Sequence, residues 1–273
     1  MNLLSSTLIT AMLLSVCGFI SGTAASKQNE CAQIEAVKQN LNHPKKLAEL
    51  LPIVRCSFVP TKYELILATQ LRGVQTNTMQ FRSATEKVGE LLVNKVVECL
   101  PTEAIQVQTP LTGCAGVRFA SNVELVSVMR SGDALLDTFI KHFPDANISK
   151  FLVQRDEETA EPHFKYMKSS QTLASGNPVI ITEPMIATGG TLEMVIQMLK
   201  EKGVKEENII IAAVCTAPEG LVRLNQAFPQ LKVVMTFLDQ KLNDNKYIVP
   251  GLGDFGDRFY GTNPTHETRV AIK

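Results

Sequence analysis

The sequence predicts an α/β fold in which a parallel β-sheet is flanked by helices, and three observations carry that prediction. From Val123 onward, short apolar runs of strand length alternate with segments whose apolar residues recur at every third and fourth position. Helical segments, not tight turns, separate the successive strands, and a parallel neighbour needs that kind of crossover. The stretch Val179-Ile-Ile-Thr-Glu-Pro-Met-Ile-Ala-Thr-Gly-Gly-Thr191 sets a β-branched strand, a small-residue loop and a helix start one after another. Its 273 residues suffice for one large domain or two modest ones. Net charge is zero, so no global field attracts nucleic acid or an acidic membrane surface, and any basic site must be local.

Residues 1–25 differ from the rest. Leu3 to Ile20 carries no charge, and Ser21-Gly-Thr-Ala-Ala25 follows before the sequence turns polar, as in a secretory signal peptide cleaved near Ala24 or Ala25. An exported or secretory protein is therefore expected. No Lys or Arg precedes the apolar run, which leaves alternatives: a retained membrane anchor, an organelle address, or a different start and a cytoplasmic chain. Membrane contact follows only if the segment is kept. Cys17 would leave with it; Cys31, Cys56, Cys99, Cys114 and Cys215 show no metal-binding spacing, and their odd number leaves a thiol free. In an oxidising compartment Cys31 with Cys56 is the pair to test, while Cys99 and Cys215 read as small apolar residues.

Residues 26–60 form an N-terminal extension in which Ala32 to Leu51 has helical spacing, interrupted by Pro44. The main domain is expected over 61–262, with a tail at 263–273. Helices are predicted over Tyr63–Leu71 and Gln80–Leu100, where Pro101 stops the second; a turn-rich passage follows. Strands then fall at Val123–Val128, Ile148–Gln154, Pro178–Thr182, Ile209–Thr216 and Lys232–Leu238. The helices between them span Asp133–Phe143, Thr191–Lys202 and Pro218–Phe228. Glu161 to Lys168 alternates and suits a β-hairpin or a flap over the binding crevice. Tyr247 to Thr262 holds four glycines and two aspartates without helical or strand period, so it reads as an ordered loop whose backbone groups need partners. Such a peptide edge can recognise a flat base; it can equally be a tail packed by Phe259 and Tyr260.

In open parallel sheets ligands bind beyond the carboxyl ends of the strands. Those ends carry Arg130, Arg155, Glu183 with the glycine loop, and Asp239. Glycines at 189 and 190 let the backbone approach an anion, and the first turn of the following helix offers unpartnered N–H groups and a favourable dipole. The loop lacks the Gly-Lys-Ser/Thr of a triphosphate loop and the Gly-x-Gly-x-x-Gly of a dinucleotide site, so it suggests a monophosphate. Two arginines, whose forks match phosphate oxygens, extend this to a doubly phosphorylated sugar. Taken singly, each arginine also reads as an ordinary solvated residue, and the glycine loop as a packing turn.

Four motifs, in order, give the chain a strong resemblance to uracil phosphoribosyltransferase, a family of the type I phosphoribosyltransferase fold. Glu183-Pro-Met-Ile-Ala-Thr-Gly-Gly-Thr191 is similar to the family's Asp-Pro-Met-Leu-Ala-Thr-Gly-Gly-Ser; Arg155-Asp-Glu-Glu-Thr-Ala-Glu-Pro162 to its Arg-x-Glu-Glu-Thr-x-x-Pro. Ala217-Pro-Glu-Gly220 and Tyr247-Ile-Val-Pro-Gly-Leu-Gly-Asp254 match as well. Three departures stand out: Glu183 replaces an aspartate, Met129-Arg-Ser-Gly132 replaces Leu-Arg-Ala-Gly, and Phe255 stands where many members have alanine.

The resemblance implies that uracil and 5-phosphoribosyl 1-diphosphate give UMP and diphosphate, as in pyrimidine salvage. It implies a small hood or flap formed by the N- and C-terminal segments. Carried over by motif, Arg130, Arg155 and Asp254 form the catalytic set on the diphosphate. Glu183 contacts the ribose hydroxyls, and Pro184, Met185, Ile186, Ala187, Thr188, Gly189, Gly190 and Thr191 complete the loop around the 5′-phosphate. Tyr247, Ile248, Gly253, Asp254 and Phe255 face uracil. Mg²⁺ is expected through the diphosphate and water, with no direct protein ligand. A homo-oligomer, dimer or higher, is expected; a GTP effector is compatible and nucleic acid is not a partner. The alternative, motivated by Glu183 and the signal-like N-terminus, is a catalytically weakened protein that still binds nucleotide or phosphoribosyl diphosphate.

Overall fold

A computed structural model describes residues 52–55, 60–156 and 162–262. The signal-like segment, the helical spacing of 32–51, the Cys31–Cys56 pair and the tail 263–273 lie outside the described residues.

Helix α1 (Lys62–Arg72) starts on a capping box: the Thr61 hydroxyl accepts from the Glu64 backbone N–H, and the Glu64 carboxylate accepts from that of Thr61. Asn77 and Gln80 form the same device at the head of α2 (Thr78–Val97), which moves that helix two residues upstream of its predicted start. The passage read as turns holds a hairpin instead, β1 (Thr102–Gln108) paired antiparallel with β2 (Gly113–Phe119). Neither of its faces is buried, so no apolar alternation betrays it.

The main sheet contains β3 (Glu124–Met129), β4 (Asn147–Arg155), β5 (Pro162–Lys168), β6 (Val179–Thr182), β7 (Met185–Ile186), β8 (Ile209–Thr216) and β9 (Lys232–Leu238). Its order is β5-β4-β3-β6-β8-β9, with β7 resuming the pairing of β6 along β8 after Glu183 and Pro184. Every pair is parallel except β4 with β5. Of the two readings of Glu161–Lys168, the antiparallel partner forms: Pro162 faces Arg155 and the strand extends the sheet edge.

Helices α3 (Asp133–His142), α4 (Gly190–Glu201) and α5 (Pro218–Ala227) are the crossovers. Strand β8 is buried along its whole length, as a central parallel strand must be. Its Ile209, Ile211 and Ala213 join Leu192, Val195, Leu221 and Leu224 in one core on the α4–α5 face, while α2 lies along β8 and β9 and α3 along β3 and β6.

Beyond β9 the chain makes a small ladder, β10 (Lys241–Leu242) with β11 (Ile248–Val249), and then a one-and-a-half-turn helix α6 (Phe255–Tyr260). This corrects the reading of 247–262 as wholly irregular. Six residues are too few to show a period. The helix is set by its ends: Asp254 accepts from the Asp257 N–H at 2.8 Å, and Gly261 closes it at φ +75°. Helix α6 packs against α2 and the end of α1. Arg258 donates to the carbonyls of Leu71, Leu252 and Gly73 and lies 4.5 Å over the Phe81 ring. Among the described residues no helix is long and apolar enough to cross a membrane.

Candidate active site

The carboxyl ends of β3, β4 and β6 open into a pocket of about 680 Å³, closed on its far side by residues 245–248 and 253–257. Parallel register brings the ends together: Met129 pairs with Leu152, and Ser127 with Thr182, so the loops that follow leave the sheet side by side.

Of the residues expected to act there, Arg130, Glu183, Met185, Ala187, Thr191, Tyr247, Ile248, Gly253, Asp254 and Phe255 line the pocket. Pro184, Ile186, Thr188, Gly189 and Gly190 do not. Ile186 is buried in the core behind the loop, and Gly189 sits at the N-cap of α4 with φ +79°. A Cβ at Gly189 would lie 3.0 Å from the Gly220 carbonyl, and one at Gly220 would lie 2.4 Å from that of Ala187. The glycine of Ala217-Pro-Glu-Gly220 thus lets α5 support the loop from behind, so that loop N–H groups can face outward. Arg155 ends β4, and its neighbour Asp156 lines the pocket.

Asp239 departs from expectation. It is 2% exposed and does not line the pocket; its carboxylate takes both amino groups of Arg72, at 2.8 and 2.5 Å, and the N–H of Gly251 at 2.8 Å. Arg72 also donates to the Gly251 carbonyl at 2.6 Å. The role is structural: the pair fixes the peptide run that forms the far wall. The thiol of Cys215 donates to the same carboxylate at 3.2 Å, and burial, followed by the charge of Asp239, pushes that thiol well above its ordinary value. It packs as an inert core residue, as its sequence context suggested.

Arg130 meets the opposite wall. Its Nη2 donates to Asp257 at 2.6 Å, its Nη1 to the Thr262 hydroxyl at 3.2 Å, and its guanidinium lies 5.4 Å over the Tyr260 ring. The Thr262 hydroxyl and then Arg130 hold the Asp257 carboxyl below its usual value. Tyr260 donates to the Arg130 carbonyl at 2.9 Å, which secures the turn after β3. Gly132 makes that turn possible, since a Cβ there would lie 2.3 Å from the Thr182 carbonyl. Glu183 is 5% exposed, and its Oε1 accepts from the Ser131 hydroxyl at 3.1 Å and the Met185 N–H at 3.4 Å.

Phe255 does not plug the pocket. Its ring packs edge-on against Phe81 at 5.2 Å and stacks with Phe259 at 6.2 Å, leaving its backbone at the wall. Sequence reasoning missed Ser131, Asp156, Asn245, Lys246 and Asp257 as lining residues. Ser131 and Asp156 stand inside quoted motifs, and their neighbours were signal enough; Asp257 lies three residues past the last of them. Asn245 and Lys246 close the turn between β10 and β11, where Lys246 takes φ +64°; the Asn243-Asp-Asn245 cluster was the available cue. Chemically, the pocket offers an anion-holding helix start, an arginine, several carboxylates and an exposed peptide edge. No three metal-ligating side chains converge among the described residues.

With this geometry in hand, comparison with known proteins is specific. The family model described as uracil phosphoribosyltransferase matches residues 60–262. A uracil phosphoribosyltransferase of Dictyostelium discoideum is 40% identical over 201 residues, covering 72% of this chain and 91% of that one. One from an Exiguobacterium species is 37% identical over 195 residues, covering 71% and 92%. A solved structure of an Aquifex aeolicus protein superposes with a TM-score of 0.68 at 28% identity, over 77% of this chain and 99% of the other.

Proposed function

The chain belongs to the uracil phosphoribosyltransferase family, and on that premise we propose that the pocket joins uracil to 5-phosphoribosyl 1-diphosphate, giving UMP and diphosphate. It is thus a pentosyltransferase of pyrimidine salvage. One observation supports the site assignment above the others: the wall carrying Glu183, Ala187 and Thr191 and the wall of residues 247–257 face a single cavity. A ribose phosphate on the first wall and a base on the second would be held in line.

In this reading the loop 187–191 and the start of α4 receive the 5′-phosphate, and Glu183 accepts from the ribose hydroxyls. The backbone of Ile248 and Gly253–Phe255 pairs with uracil. As the C1′–O bond to diphosphate breaks, negative charge grows on the leaving oxygens, and Arg130 and Arg155 stabilise it. Cationic donors at the developing charge are worth more in a confined site than in water. Nitrogen of the base attacks C1′ from the opposite face and gives up its proton to water or the departing diphosphate, and holding both reactants in one cavity converts encounter into position. No covalent nucleophile is needed.

The divalent cation of this proposal enters on the diphosphate and meets the protein through water. Asp254 and Asp156 line the pocket where they can hold such water. Bound there, Mg²⁺ would supply further positive charge at the leaving group.

Homo-oligomerisation belongs to the same proposal, supported by the hairpin β1–β2 that leaves Leu111 94% and Val117 74% exposed; sedimentation with and without GTP tests assembly and effector together. Export is proposed on the uncharged run Leu3–Ile20 and is tested by N-terminal sequencing of the mature chain. The activity itself is tested with purified chain, labelled uracil, phosphoribosyl diphosphate and Mg²⁺. UMP should form, and Arg155→Ala should abolish it. Calorimetry that detects neither substrate would overturn the proposal, and binding without turnover would favour the weakened binding protein.

A further inference from the structure

We infer that Ser131 is the positioning residue for Glu183, so that two departures from the family pattern act as one unit; the inference rests on the function proposed above. Glutamate at 183 carries its carboxylate one methylene further than the family's aspartate would. Unrestrained, that longer side chain has one more rotatable bond and reaches deeper into the space a ribose must occupy. The structure shows it restrained. Its Oε1 is drawn back over its own loop, accepting from the Met185 N–H at 3.4 Å and from the Ser131 hydroxyl at 3.1 Å.

The second donor exists only because of the second departure. Where the family has Leu-Arg-Ala-Gly, this chain has Met129-Arg-Ser-Gly132, and an alanine offers no hydroxyl. Both residues line the same pocket, and Glu183 is 5% exposed, so its carboxylate is held in a setting where a lost donor is felt. The approach of the two strand ends is equally specific. Gly132 lets the turn after β3 lie against the Thr182 carbonyl, the residue just before Glu183, since any Cβ there would come within 2.3 Å. The backbone therefore brings Ser131 beside Glu183, where its hydroxyl makes the bond.

A four-way comparison of the full chain, Ser131→Ala, Glu183→Asp and the double variant tests this. Ser131→Ala should raise KM for phosphoribosyl diphosphate by about tenfold, the scale of one hydrogen bond to a charged group, with KM for uracil within about twofold. In the Glu183→Asp background the same substitution should change KM by less than about twofold, because the shorter carboxylate no longer depends on the hydroxyl. Ser131→Thr, which keeps the hydroxyl, should recover most of what alanine loses. An equal effect of Ser131→Ala in both backgrounds, or none in either, overturns the inference while leaving the enzyme reading intact. A parent chain that binds no phosphoribosyl diphosphate overturns both.

Discussion

Arg130 Nη2 stands 2.6 Å from Asp257 Oδ1, so the guanidinium proposed to receive diphosphate is already engaged by a carboxylate from the opposite wall. Their side chains are 51% and 34% exposed, which keeps the pair weak, below about 1 kcal/mol, and exchangeable. Diphosphate, with more charge and several acceptor oxygens, can take the arginine from it. Removing the competing charge should help the substrate. Asp257→Asn is expected to lower the Kd for diphosphate by about two- to fivefold, a gain of the size of an exposed ion pair. Isothermal calorimetry reads it, and weaker binding would show that the carboxylate organises the arginine instead of competing for it.

The same carboxylate sets an acid limit. Thr262 first and Arg130 second hold its folded-state value below the ordinary 3.8. A depressed value means that the stabilisation is fully present above the unfolded value and is lost as pH falls through the folded one. Asp257→Asn should therefore melt lower than the parent by a constant small margin between about pH 5 and 8, and the gap should close below about pH 4. Calorimetric melts across this range check it. A gap that widens with acid would reverse the sign.

Gly220→Ala should damage the phosphate loop from a distance. The added methyl would meet the Ala187 carbonyl at 2.4 Å, and backbone must move to admit it. Overpacking of this kind costs about 1–3 kcal/mol. KM for phosphoribosyl diphosphate should rise with it, while uracil, proposed to sit on the other wall, should be little affected. Steady-state kinetics with each substrate varied in turn separates the two effects.

Asp239→Ala should be the most destabilising single change near the site. It would leave the largely buried Arg72 without its carboxylate and the Gly251 N–H without an acceptor. Breaking such a pair from one side costs about 3–5 kcal/mol. Urea denaturation should show this loss at neutral pH, and a change below about 1 kcal/mol would mean that Arg72 finds other partners.

Strands and crossover helices were legible because a buried parallel strand such as Ile209–Thr216 is apolar throughout, and α4 keeps its apolar residues on one side. The turn into α4 was legible from Gly189 and Gly190. The hairpin β1–β2 was not, since a ribbon exposed on both faces needs no alternation. Helix α6 was hidden by its length and by Gly256. Asp239 misled for a different reason: a strand-end acid looks the same in sequence whether it faces a ligand or an arginine from a helix 167 positions earlier. The partnership of Ser131 with Glu183 was written as two separate oddities, and only the approach of two strand ends makes them one.

The far wall is pinned from both ends of the domain, by Arg72 on the Gly251 carbonyl and by Arg258 on that of Leu252. Arg72 precedes the whole sheet in sequence and Arg258 follows it. A cut that removed either end of the domain would therefore free a wall that lies far from the cut in sequence.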